Sequence, residues 1–367
     1  MMLAALVVVA IVFGACSTAL LGRPRPQQGI AAQCVAIFPI VAVCAVYTLG
    51  SGLTAPWALL AGVTVTAAAL VASRVGPRLH SALRAVSGES SQVEGRLGLV
   101  WATGVIVSLG IVGVALSWVV SLVQFATPLN RTAVVAVLAI GGVLFALGQG
   151  AARVWSLIFI WFAIGSAVLA VAAGLLAGAP ESLASPEVFV DSPAPLTSLA
   201  VSLAVLVIAA GHPGLASAAA LDRRGLASAG IIMGLVTVCT LIGILMLLAG
   251  GIQAPSFPLF TVLAFMPAAV ASLLAGALVL AGTLATGRTL RDLRIDATEC
   301  GRFPWMVQDV GPRRIACVAG AGLIVAAVAV VPANPTAEIL IIAALALLRL
   351  VVGSTVRSDH EPATAAV

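Results

Sequence analysis

The sequence predicts an all-α polytopic membrane protein of about eleven transmembrane helices, with one extra N-terminal helix followed by two sets of five. Three observations predict it: the scarcity of charge, the length of the apolar runs and the placement of the arginines. Charged residues make up 8% of the 367 and apolar residues 62%, against roughly 25% charged in an ordinary soluble domain. A chain of this size folded in water needs polar surface around its core. A soluble enzyme, a nucleic-acid binder and a disordered scaffold are therefore excluded. All 18 cations are arginine, a composition typical of a GC-rich bacterial genome.

A bilayer core takes about 20 apolar residues per helix. Stretches of that kind lie at 2–22, 30–50, 54–73, 99–124, 132–149, 154–178, 196–221, 229–251, 261–287, 313–331 and 336–354. They lack period-two alternation, so helices and not barrel strands are expected. With these spans, one membrane face receives every arginine from Arg23 to Arg357 except Arg131, a split of 17 to 1. Positive charge collects on the cytoplasmic side, which predicts a multi-pass protein of the bacterial cytoplasmic membrane with its N-terminus outside and its C-terminus inside. The chain then divides into an extra helix (1–22), a first five-helix repeat (30–178), a second (196–354) and a cytoplasmic tail (355–367). The first stretch lacks a positive leader and is too long for a signal core. It reads as a helix even though Cys16 sits where a weak lipoprotein cleavage site would place it. The six cysteines have no metal-ligand spacing and read as small apolar side chains.

No acidic or basic residue falls in the middle third of a span, and Arg153, Glu338 and Arg349 sit near span ends, where snorkelling accounts for them. A proton relay or a voltage sensor needs ionisable groups at depth, so neither is expected, and no nucleophile–base pair suggests an intramembrane enzyme. The expected partners are the lipid bilayer and a small-molecule solute, with no nucleic acid. Helix breakers carry the remaining signal. Pro39 interrupts the second span, and Gly211-His212-Pro213-Gly214 interrupts the seventh. Ending the seventh span there would leave it too short to cross, so two half-helices around an unwound centre are expected. Freed backbone polar groups survive at depth only beside a cavity or a ligand. Breaks in the first helix of each five-helix set point to an inverted-repeat transporter. Two readings stand at each position: Pro39 as break or simple kink, His212 as ligand contact or packed neutral imidazole, and Thr283 and Thr286 as ligands or as donors to the carbonyl one turn back.

The stretch 205–231, VLVIAAGHPGLASAAALDRRGLASAGI, resembles the sixth core helix of the sodium/solute symporter family. The likeness is greatest to the acetate and other monocarboxylate symporters. The stretch 268–292, AAVASLLAGALVLAGTLATGRTLRD, is similar to that family's eighth core helix, and GQGAARVW (148–155) to its glycine turn before a tryptophan. The resemblance implies a LeuT-type fold, a secondary transporter of a small organic solute such as a monocarboxylate, and Na+ as the only cofactor. It places the solute against Phe38, Pro39, Gly211, His212 and Pro213. It places a sodium-like site on the carbonyls of Ala32 and Val35 with Thr283 and Thr286. Leu284 stands where the family's second hydroxyl would be, so that site is degraded and coupling to a cation is weakened. The alternative is a transport-incompetent symporter-like subunit with a structural or regulatory role, whose interior is filled by Phe38, Leu284 and Leu157.

Overall fold

The computed structural model describes residues 14, 29–50, 55–86, 91–127, 129–148, 152–176, 195–249, 268–299, 310–330 and 336–358. Among them are eleven helices and no strand. These are α1 (Ile30–Gly50), α2 (Ala55–Val86), α3 (Ser91–Ala126), α4 (Arg131–Leu147), α5 (Ala152–Leu176), α6 (Pro195–Gly211), α7 (Pro213–Leu221), α8 (Arg223–Ala249), α9 (Ala268–Glu299), α10 (Val310–Val330) and α11 (Thr336–Ser358). The expected first span, 2–22, lies outside the described residues apart from Gly14.

Six helices are long and apolar enough to cross a bilayer, and α6 with α7 makes a seventh if the bent pair counts as one span. The outer surface is apolar too: Trp161 is 72% exposed and Ile315 71%, with Val63, Ile140, Val168, Leu203 and Leu235 exposed beside them. Water would not tolerate so extended an apolar belt, so the chain is a helical membrane protein.

The bundle is organised around α1, 89% of whose spanning stretch is buried. Helices α2, α3, α5 and α8 pack on it, α4 packs on α9, and α10 packs on α3 and α4. α11 lies against α3, α6 and α2. Of the two readings of Pro39, the break is absent: α1 runs as one helix from Ile30 to Gly50 with the proline inside it. A single proline removes only one donor, which leaves the Val35 carbonyl without its helical partner but not the whole turn. Among the described residues, only the seventh span is interrupted.

A close seam joins α2 and α8. Gly230 and Gly234, four apart on α8, meet Gly62, Thr66 and Ala69 of α2. A Cβ on Gly234 would run into Thr66 and come within 2.7 Å of the Gly62 carbonyl. The Thr66 hydroxyl bridges the seam, donating to the carbonyls of Gly62 at 3.0 Å and Gly230 at 3.3 Å. In a bilayer, where lipid is as apolar as leucine, such small-residue contacts let helices associate by van der Waals packing. At the other end Arg131 donates to the Val328 carbonyl at 3.0 Å and ties α4 to α10. Gly234→Leu should force α2 from α8 and cost about 1–3 kcal/mol. A thermal melt of the purified protein in detergent checks this, and an unchanged midpoint would contradict the seam.

Candidate functional site

The break between α6 and α7 is built locally. His212 takes an extended backbone (φ −73°, ψ 120°), and Pro213 follows at the first helical position, where its missing N–H is no loss. The two helices meet at a 59° bend. The His212 side chain caps α7: its Nδ1 accepts from the Leu215 amide at 3.2 Å. An accepting Nδ1 puts the ring proton on Nε2, so the imidazole is neutral. Gly211 lies against α11, where a Cβ would come within 2.7 Å of the Ala346 carbonyl. At the far end Asp222 closes α7 and opens α8, its backbone amide donating to the Ala218 carbonyl at 3.0 Å and its Oδ1 accepting from Gly225 at 2.7 Å.

Beside this break, α9 presents Arg288, Asp292 and Asp296, four residues apart and so on one face. All three are buried. Arg288 Nε donates to Asp292 Oδ2 at 3.3 Å, and its Nη1 donates to the Ala32 carbonyl of α1 at 2.7 Å. Asp292 fits against the first turn of α7 only because Gly214 has no side chain; a Cβ there would lie 2.8 Å from Oδ2. A carboxylate at a helix N-terminus is favoured by the partial positive charge there. Asp292 lies past the apolar stretch that ends at 287. Burial pushes its carboxyl above the usual carboxylate range, while the charges of Arg288 and Arg291 pull it back.

The neighbouring pair is tighter. Arg349 of α11 donates two parallel bonds to Asp296, Nη1 to Oδ2 at 3.0 Å and Nη2 to Oδ1 at 2.5 Å, with Nη1 also reaching the Val100 carbonyl of α3 at 3.0 Å. Arg349 is 1% exposed. This corrects the snorkelling expected from its place near a span end, because a bidentate carboxylate partner holds the guanidinium inside the protein. Gly104 of α3 makes room for the pair, since a Cβ there would overlap Arg349.

The other sequence-predicted residues are placed as follows. Thr283 donates to the Val279 carbonyl at 2.7 Å and Thr286 to Gly282 at 2.8 Å, each one turn back in its own helix. The Thr286 side chain abuts Gly142 of α4. The Ala32 carbonyl is engaged by Arg288. Phe38 packs edge-on against Phe159 of α5, with ring centres 5.6 Å apart. Leu157 is 44% exposed and so does not fill the interior, whereas Ser156 is buried. Gln33 is buried and donates to the Ala218 carbonyl of α7 at 3.3 Å. Sequence reasoning missed Gln33, Asp292 and Asp296. The i, i+4 spacing of Arg288, Asp292 and Asp296 was the available signal.

Two small cavities flank α1. One is bordered by Val35, Phe145, Ser156, Leu284, Arg288 and Arg291 and has about 20 Å³ of room. The other, also about 20 Å³, is bordered by Tyr47, Thr48, Trp57, Thr64, Ser198 and Ser202. Among the described residues, the buried hydroxyls of Tyr47 and Ser198 have no hydrogen-bond partner. Each volume suits about one water.

No protein-family model matches the sequence, and a search of curated proteins finds no match either.

Breaking the Arg349–Asp296 pair from one side leaves a buried charge, which costs about 3–5 kcal/mol. Arg349→Met should therefore sharply lower the thermal midpoint, while the double variant Arg349→Met with Asp296→Leu should recover most of it. Equal losses in the single and double variants would contradict the pairing.

Proposed function

We propose that the chain is a secondary transporter of a small organic solute, working by alternating access in a bacterial cytoplasmic membrane with the arginine-rich ends of its helices inside. The observation that carries this is the capped break at His212 in an otherwise continuous apolar span. An interrupted helix at depth is retained where its ends face a ligand or a moving interface.

The packing pattern supports a repeat of five. Exchange α1 with the broken element α6–α7, α2 with α8, α3 with α9, α4 with α10 and α5 with α11. The pair α5–α8 then becomes α11–α2, α4–α9 becomes α10–α3, α3–α11 becomes α9–α5, and α3–α4 becomes α9–α10. Each of these pairs is in contact, while α2–α8, α3–α9 and α4–α10 map onto themselves. Such self-consistency is what two interlocked copies of one five-helix unit require, as in the LeuT-type fold that the sequence resemblance implies.

Sodium coupling through Ala32, Val35, Thr283 and Thr286 is the weaker part of that resemblance. The Ala32 carbonyl already accepts from a cation, the Arg288 guanidinium, and Leu284, not a hydroxyl, borders the cavity beside Val35. We read the transport as independent of sodium, by exchange or uniport. A second reading, the transport-incompetent structural or regulatory subunit, is favoured by one observation: Phe38, at the middle of α1, is closed off by Phe159.

Proteoliposomes loaded with unlabelled short-chain carboxylate should accumulate the labelled compound equally well in sodium and in choline buffer. His212→Ala should slow this by roughly tenfold or more, and His212→Asn, which retains a capping acceptor, should recover part of the rate. Strict dependence on sodium would refute the uncoupled mechanism. Absence of uptake and of exchange in both buffers, from folded protein, would leave the second reading.

A further inference from the structure

The transport reading makes no use of the cavity between α1, α2 and α6. Its border is formed by the last turns of α1 (Tyr47, Thr48) and the first three turns of α2 (Trp57, Thr64) and α6 (Ser198, Ser202). Tyr47 lies nine residues beyond Phe38, about 13 Å further along α1, so the cavity is separate from the solute position expected at Phe38 and His212. Hydroxyls on the described helices commonly donate to a carbonyl one turn back, as those of Thr48, Thr66, Thr237 and Thr283 do. Two groups on this border do not. Tyr47 is 8% exposed and Ser198 3%, and among the described residues neither hydroxyl has a partner. A phenol cannot fold back onto its own helix. Ser198 stands in the first turn of α6, where little of that helix lies behind it. A buried hydroxyl without a partner gives up its bonds to water and gains nothing in exchange. Two of them on one small cavity point to an occupant.

About 20 Å³ leaves room for one polar atom between them. Both hydroxyls then meet the same atom, which must accept two hydrogen bonds. A carbonyl or carboxylate oxygen has two lone pairs and carries no hydrogen of its own. The opening amides of α6 add a partial positive charge, which favours an acceptor over a donor. Leu60, Val201 and Val205 complete the border, and apolar walls strengthen such bonds. The cavity is partly open, so a molecule larger than the room inside can present one oxygen to it. We propose that this cavity binds the carbonyl oxygen of a small solute, an amide or a short-chain carboxylate, held by the hydroxyls of Tyr47 and Ser198. The site goes beyond the transport reading, because it is a second place of binding that is measured at equilibrium with no gradient and no uptake.

Tyr47 is the only tyrosine in the chain. Protein isotope-labelled at the tyrosine ring carbon that bears the hydroxyl therefore gives one tyrosine resonance, from the residue at the site. In full-length protein in detergent, acetamide, acetate or both should move that resonance saturably. The two probes share one shape. Acetamide alone would identify a neutral carbonyl site, acetate alone a carboxylate site, and both a site that reads only the oxygen. Ser198→Ala removes a hydroxyl with no partner among the described residues, so folding is kept, and it should weaken binding by roughly three- to tenfold. Ser202→Leu fills the cavity with both hydroxyls kept and should abolish the movement. A resonance that moves with neither probe, or an affinity unchanged in both Ser198→Ala and Ser202→Leu, would overturn the site.

Discussion

The buried pair of Arg349 and Asp296 is the constraint around which one end of the bundle is arranged. Two charges removed from water need near-ideal geometry to offset their desolvation. Here two parallel bonds and the Val100 carbonyl provide it. The pair dictates its surroundings, because α3 must present a glycine at 104 for the guanidinium to fit. Helices α3, α9 and α11 are thereby held at one mutual position. Apolar packing tolerates sliding, whereas a bidentate ion pair does not, so the pair sets register more than it adds stability.

One turn earlier on α9 Asp292 extends the arrangement to α7, and two turns earlier Arg288 extends it to α1. Helix α9 is therefore the common member of every charged contact described at this end. Gln33 adds a direct bond from α1 to α7. Helix α1 is joined to α9 by the Arg288–Ala32 bond, and α7 meets α9 where Asp292 lies against Gly214. The α2–α8 seam is the opposite case, with backbones in close contact and a shared threonine hydroxyl. Those two helices are built to stay together.

Local features were legible in the sequence. Gly211 to Gly214 combine a residue without Cβ, a capping side chain and a proline, and each acts over one turn, so the break falls where the string places it. The apolar runs likewise mark the helices, because span length is a property of the chain alone. Pro39 was ambiguous for the same reason: a lone proline removes one bond, and its neighbours decide whether the helix opens. What the sequence hid were contacts across distance. Ala32 and Arg288 are 256 positions apart, and Arg349 and Asp296 are 53 apart. Arg349 near a span end has the same sequence signature whether it reaches outward to the headgroups or inward to a carboxylate. Only the packing of α9 and α11 against α3 decides.

Helix α7 has a mechanical consequence of its own. It is nine residues long, capped by His212 at one end and closed by Asp222 at the other, and Asp222 caps the next helix as well. His212 accepts from the Leu215 and Ala216 amides at its start, and the Asp222 amide donates to the Ala218 carbonyl at its end. Rotating the segment about either junction leaves its internal bonds intact, and the resistance comes from side-chain packing and the Gln33 bond to Ala218. α7 is thus a stiff rod between two swivels. Bond rotation at His212 and Asp222 is sufficient to reorient it, with no helix unwound along the way.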